Sequence, residues 1–243
     1  MSPFRFPGES DAYREARDEL LEMEVRLRAQ TEAVAQKRRE LPLGGKLKED
    51  YRFEKSDGSS IEFAELFGPH DTLLLYSMMF GPEWDAPCPA CTSIVDGFAA
   101  NAFPVNATCA TAAVANAKPE QLREWSEKRG WHHLTLVSGT QNSYLVDYCG
   151  WEGCKDAGLV SIMNVFKKTS DGVFHTWGSE LLQRPMENGH PRHADPFWPL
   201  YNLLDLTPGG RGEKQIPVQN YSHDYFSANV FSEEEPSDDC CQH

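Results

Sequence analysis

Two cysteines separated by a proline and an alanine, Cys88-Pro89-Ala90-Cys91, are the side chains whose type and spacing best fit chemistry in this chain. Thiols at this spacing can form a disulfide and open it again. One attacks a foreign disulfide as thiolate, and the other attacks the mixed disulfide and releases the reduced product. The first step needs a thiolate near neutral pH, and the surrounding residues point to a source for one. Leu73 to Phe80 is apolar or small apart from Ser77, as in a strand buried on both faces. Gly81, Pro82 and Pro87 break that run, and beyond the motif Ile94, Val95, Phe98 and Ala102 recur at helical spacing. The order strand, loop, C-x-x-C, helix puts Cys88 at a helix N-terminus, where unpaired N–H groups and the helix dipole favour negative charge. A thiolate there is stabilised, and its pKa falls. Pro89 in the first turn is no obstacle, because its missing N–H would have had no partner.

The same four residues could be half of a zinc knuckle, or two inert core thiols. A second pair, Cys149 and Cys154 in CGWEGC, would supply the other two ligands of a four-thiolate site. A spacing of dozens of residues neither demands nor forbids this. The strand before the motif and the helix after it favour redox chemistry, with no bound metal.

These cysteines need a scaffold, and the rest of the chain supplies its elements. Residues 1–45 read as an arm with two prolines followed by a long helix from an N-cap at Ser10 to about Glu40. Its apolar residues Tyr13, Ala16, Leu20, Met23, Leu27 and Val34 fall near heptad spacing, suited to a domain surface or to a homodimer seam. A short hairpin turning at Asp57-Gly58 follows, then a helical turn to Phe67. After the dithiol helix, Val105 to Ala115 reads as a buried strand containing Cys109, and Pro119 opens a helix that stops at Gly130. Trp131 to Val137 reads as a further strand, with His132 and His133 at its start. Gly139 to Gly158 is irregular, Val160–Lys168 and Val173–Trp177 form a hairpin, and a last helix starts near Trp198. Residues 46–212 therefore form one α/β domain, a central sheet with helices on both faces in the thioredoxin arrangement, with its site at the carboxyl end of the strand before the dithiol. Residues 213–243, ending FSEEEPSDDCCQH, read as an acidic disordered tail.

Composition narrows the function classes. A formal net charge of −14 argues against nucleic-acid binding, because no basic surplus exists to neutralise phosphates. No apolar run is long enough to span a membrane, and the N-terminus lacks the apolar core of a secretory signal. Seven cysteines in 243 residues, an odd number, suit a reducing cytoplasm better than a secreted disulfide framework.

The runs RRELPLGGKLKEDYRFEKSDGSSIEFAELFG, LLYSMMFGPEWDAPCPACTSIVDGF, VFHTW and YNLLDLTPGGRG resemble the thioredoxin-like family catalogued as domain of unknown function 899. Its members are commonly labelled dithiol-disulfide oxidoreductases on sequence grounds. The resemblance implies a thioredoxin fold and assigns Cys88 and Cys91 as the redox pair. The resemblance names no substrate. Thiol–disulfide exchange by this pair would take a disulfide-bearing protein or small molecule as substrate and an external thiol as reductant, and needs no bound cofactor. Trp84 would form an apolar wall of the site. Ser161, in the stretch Gly158 to Ile162, would belong to the substrate-docking backbone, where thioredoxin-like proteins usually carry a cis-proline and this chain has none. In the flexible segment CGWEGC, Cys149 and Cys154 are either ordinary loop thiols or accessory thiols, one of which exchanges electrons with the dithiol. Peroxiredoxins place a threonine three residues before their reactive cysteine, and this chain has Asp85 there. A metal-binding or non-catalytic thioredoxin-fold binding protein is the alternative.

Overall fold

A computed structural model describes residues 5–149, 159–183, 192, 194–211 and 217. Cys154 and the acidic tail apart from Pro217, with its Cys240 and Cys241, lie outside them. The chain divides into two units, Met1–Pro42 and Leu43–His243.

In the first unit, α1 (Asp11–Arg39) starts where expected, because Ser10 Oγ accepts the Tyr13 N–H at 3.1 Å. Lys37, Arg38 and Arg39 occupy its last turn, complementing the negative end of the helix. The heptad residues Tyr13, Leu20, Met23, Leu27 and Val34 are exposed.

The second unit is built on one seven-stranded sheet. The strands are β1 (Arg52–Lys55), β2 (Ser60–Glu62), β3 (Thr72–Met78), β4 (Ala110–Ala115), β5 (Thr135–Ser138), β6 (Ile162–Thr169) and β7 (Gly172–Gly178). They lie in the order β2-β1-β5-β4-β3-β6-β7. β3, β4 and β5 run parallel, whereas β6 pairs antiparallel with β3 and with β7. The first hairpin turns at Gly58, whose φ of +81° is the left-handed conformation that glycine takes without strain.

α2 (Pro89–Val105) joins β3 to β4 and α3 (Pro119–Arg129) joins β4 to β5. Both lie on the same face of the sheet, as two right-handed crossovers stepping in one direction must. The alternation of β3 divides the core into two layers. Leu74, Tyr76 and Met78 meet α2, α3 and α5 (Pro199–Leu204), while Leu73 and Leu75 meet the opposite layer. That layer includes a 3-10 turn (Phe63–Phe67) and α4 (Tyr144–Asp147), with Tyr144, Tyr148, Phe63 and Phe166 packed edge to face or stacked.

Two joints hold α2 in place. Asp96 accepts from Arg129 Nε at 3.0 Å and from Trp131 Nε1 at 2.9 Å, tying α2 to the end of α3. At Gly97 a Cβ would stand 2.6 Å from Pro199 Cδ, so α5 approaches as closely as a glycine permits. Gly97→Ala should therefore destabilise the fold by about 1–3 kcal/mol, the usual cost of overpacking, and a urea titration of both proteins measures it. An unchanged midpoint would mean that α5 yields freely.

Three expected boundaries shift. The residues expected as one strand from Val105 are divided, with α2 ending at Val105 and β4 beginning at Ala110. The N–H groups of Thr108 and Cys109 instead bond the Val105 carbonyl, so Cys109 is a half-buried turn residue ahead of the strand. β5 begins at Thr135, not at Trp131, because Trp131 turns inward to Asp96. The stretch from Gly139 contains α4, where Asn142 Oδ1 accepts the Tyr144 N–H at 2.9 Å and sets the turn.

Candidate active site

The dithiol sits where β3 leaves the sheet between a parallel neighbour and an antiparallel one. Such a change of direction opens a crevice at the carboxyl end of a strand. The loop from β3 returns to its own strand, with the Cys88 N–H on the Met79 carbonyl at 2.9 Å. Cys88 is then the N-cap of α2: its carbonyl accepts the Thr92 N–H at 2.9 Å, and Pro89 takes the first helical position.

Cys88 is partly exposed and Cys91, one turn further on, is buried, and both are thiols. The Cys88 sulfur is pulled down from 9.0 to about 6. The first cause is a hydrogen bond from the Cys91 thiol, and the backbone N–H groups of Cys91 and Ala90 add to it against the opposing effect of burial. Cys91 is pushed well above the ordinary thiol value, by the proton it shares with Cys88, by burial and by the Cys88 charge. Hydrogen bonds from Tyr76 and from the Met79 N–H, 3.4 Å from Cys91 Sγ, pull the other way. One thiol is thus held as a thiolate and its neighbour as a thiol. This pairing suits a nucleophile with a resolving partner.

Trp84, expected as a wall of the site, packs partly buried against the same core layer. Its carbonyl accepts from Gln121 Nε2 at 2.9 Å, and its indole lies so close over Gly81 that a Cβ there would meet it at 3.0 Å. Asp85 is exposed. Ser161 stands just before β6, partly exposed, with its hydroxyl 2.6 Å from the Tyr76 hydroxyl. Cys149 is buried after α4 and donates to the Val146 carbonyl at 3.3 Å, while its neighbour Tyr148 packs into the layer opposite the dithiol. To exchange with Cys88, Cys149 would have to give up both that bond and its burial. Among the described residues no three His, Cys, Asp or Glu side chains converge as metal ligands, and no helix is long and apolar enough to cross a membrane.

Tyr76 was legible only as a buried strand residue. One signal did mark it: it shares the parity of Met78 on β3, which puts it on the face that α2 covers.

A central sheet entered through β3, a C-x-x-C at the start of the following helix, and a closing antiparallel hairpin define a thioredoxin-like α/β protein. The chain belongs to the family described as "Bacterial protein of unknown function (DUF899)", whose profile matches residues 5–226. No curated protein matches the sequence. Among solved structures, the peroxidoxin BcpB from Mycobacterium tuberculosis is similar at a TM-score of 0.43 and 14% identity, over 65% of this chain and 95% of that one. Peroxiredoxin Q from Xanthomonas campestris gives 0.42 and 15%, over 63% and 90%. A hypothetical protein from Sinorhizobium meliloti gives 0.39 and 16%, over 73% and 91%.

Proposed function

We propose that this protein is a thiol–disulfide oxidoreductase with Cys88 as nucleophile and Cys91 as resolving thiol. The observation that carries the reading is the Cys88 sulfur at a helix N-cap, hydrogen-bonded by the Cys91 thiol and two backbone N–H groups and lowered to about 6. Cys88 attacks a disulfide of a protein or small molecule, and the bond broken is the substrate S–S bond. Cys91 then attacks Cys88, a Cys88–Cys91 disulfide forms, and the substrate leaves with both electrons as two thiols. An external thiol reductant, as the cytoplasm supplies, returns the pair to the dithiol, and no bound cofactor is required. Trp84 offers the substrate an apolar surface beside the sulfur. Asp85, in place of the peroxiredoxin threonine, favours disulfide exchange over peroxide reduction.

Limiting iodoacetamide at pH 7 followed by peptide mapping tests the assignment. Label should appear on Cys88 before Cys91 and Cys109, whose thiols are held above the ordinary value. Earlier labelling of either one would overturn it.

A further inference from the structure

After Cys88 has bonded to a substrate, the buried Cys91 must lose a proton before it can attack. Among the described residues, the titratable groups that act on Cys91 are Cys88 on its own helix and Tyr76 on β3, neither of them a carboxylate or an imidazole. Tyr76 is fully buried, and its hydroxyl lies between Cys91 and the Ser161 hydroxyl 2.6 Å away, across the β3–β6 pair. Ser161 is partly open to solvent. Resting on the reading above, we propose that Tyr76 and Ser161 form a proton relay that deprotonates Cys91 in the resolving step, with Tyr76 a catalytic residue and Ser161 the positioning residue that connects it to water.

The chemistry of the chain supports both directions of transfer. Either hydroxyl of the Tyr76–Ser161 pair can be the donor, so the chain can reverse. In the resting dithiol Tyr76 donates to Cys91; once Cys88 is bonded to substrate, the Cys91 thiol is free to donate to Tyr76, Tyr76 to Ser161 and Ser161 to water. When the proton has left, the order is inverted, and Tyr76 donates to the thiolate. A phenol this deeply buried does not ionise, so proton gain at its oxygen must accompany proton loss from the same group.

The timing also follows from the hydrogen bonds. In the resting dithiol the Cys91 proton is held by the Cys88 thiolate, the first cause that keeps Cys91 high. Once Cys88 is in a mixed disulfide that thiolate and its charge are gone. Burial alone then opposes ionisation, and the Tyr76 hydroxyl and the Met79 N–H stabilise the anion. The Cys91 lone pair makes the Cys88–Cys91 bond, the Cys88–substrate bond breaks, and the leaving thiolate takes a proton from water. The Cys91 proton leaves by Tyr76 and Ser161.

An aromatic disulfide that releases a coloured thiolate, used below stoichiometry with the full chain, separates the two steps in stopped flow. The first release reports attack by Cys88, and the second reports resolution by Cys91. Tyr76→Phe keeps the ring and should slow the second release at least tenfold at pH 7, with its pH profile moved up by about one unit, the loss confined to that phase. Ser161→Ala should slow the same phase about threefold or more, and Ser161→Thr, which keeps the hydroxyl, should restore it. A second phase unchanged in Tyr76→Phe overturns the relay. A slowed phase with an unmoved pH profile, or equal slowing by Ser161→Ala and Ser161→Thr, overturns it in favour of packing. Absence of the first phase in the unmutated protein overturns the oxidoreductase reading itself, and the relay with it.

Discussion

Cys88→Ser is expected to lower disulfide reduction to the rate of the reductant alone, and Cys91→Ser to stop the cycle halfway. A serine hydroxyl at position 88 receives the same hydrogen bonds but does not ionise near neutral pH and cannot form an S–S bond. The loss should be at least about 10³-fold, as removal of an enzyme's nucleophile usually is. Cys91→Ser leaves the attacking sulfur intact, so the first bond still forms. With nothing to resolve it, the mixed disulfide should accumulate as a stoichiometric adduct on the Cys88 peptide, visible by mass and removed by dithiothreitol. Equal turnover of both variants and the unmutated protein in a small-disulfide assay would exclude the mechanism.

The strand, the dithiol and the helix start were legible because each is a local pattern: an apolar run, a proline-marked break, two cysteines, then helical spacing. The helix start at Ser10 and the hairpin turn at Gly58 were legible for the same reason. What could not be read is what the fold brings together from distant positions. Tyr76 and Ser161 are 85 residues apart, and only the antiparallel pairing of β3 with β6 puts their hydroxyls in contact. The dipole argument from sequence also named a secondary cause. The Cys91 thiol contributes most to lowering Cys88, ahead of the helix-start N–H groups. Asp96 reads as a polar residue on a helix surface, yet it accepts from Arg129 and Trp131 and delays the start of β5. Cys109 reads as a strand residue because a helix ending at Val105 and a strand beginning at Ala110 leave a junction of mostly small residues that resembles continuous strand.

Cys88 should titrate with a midpoint near pH 6 when its alkylation rate is followed from pH 4 to pH 9. At pH 7 about nine-tenths of it would be thiolate, against about one-hundredth of a thiol at the ordinary 9.0, on the order of a ninetyfold difference in nucleophile. Because the folded value lies below the unfolded one, folding holds fewer protons than the unfolded chain between these limits. The stability contributed by Cys88 is therefore fully present above about pH 9 and lost as the pH falls through about 6. At pH 7, one unit above the folded value, it amounts to roughly 1.4 kcal/mol. Cys91 is shifted the opposite way and keeps its proton above the unfolded value, so it removes stability at higher pH. The reduced protein should thus gain stability relative to the disulfide form from pH 6 to about 9 and lose it beyond. Stabilising the dithiol makes its disulfide more oxidising, by about 30 mV for 1.4 kcal/mol. The cause can be isolated. Cys91→Ala removes the strongest hydrogen bond to Cys88 and leaves the two backbone N–H groups opposing burial, so the alkylation midpoint should move up toward the ordinary value. A midpoint already near 9 in the unmutated protein, or one that stays near 6 in Cys91→Ala, would show that the Cys91 thiol does not hold the Cys88 thiolate.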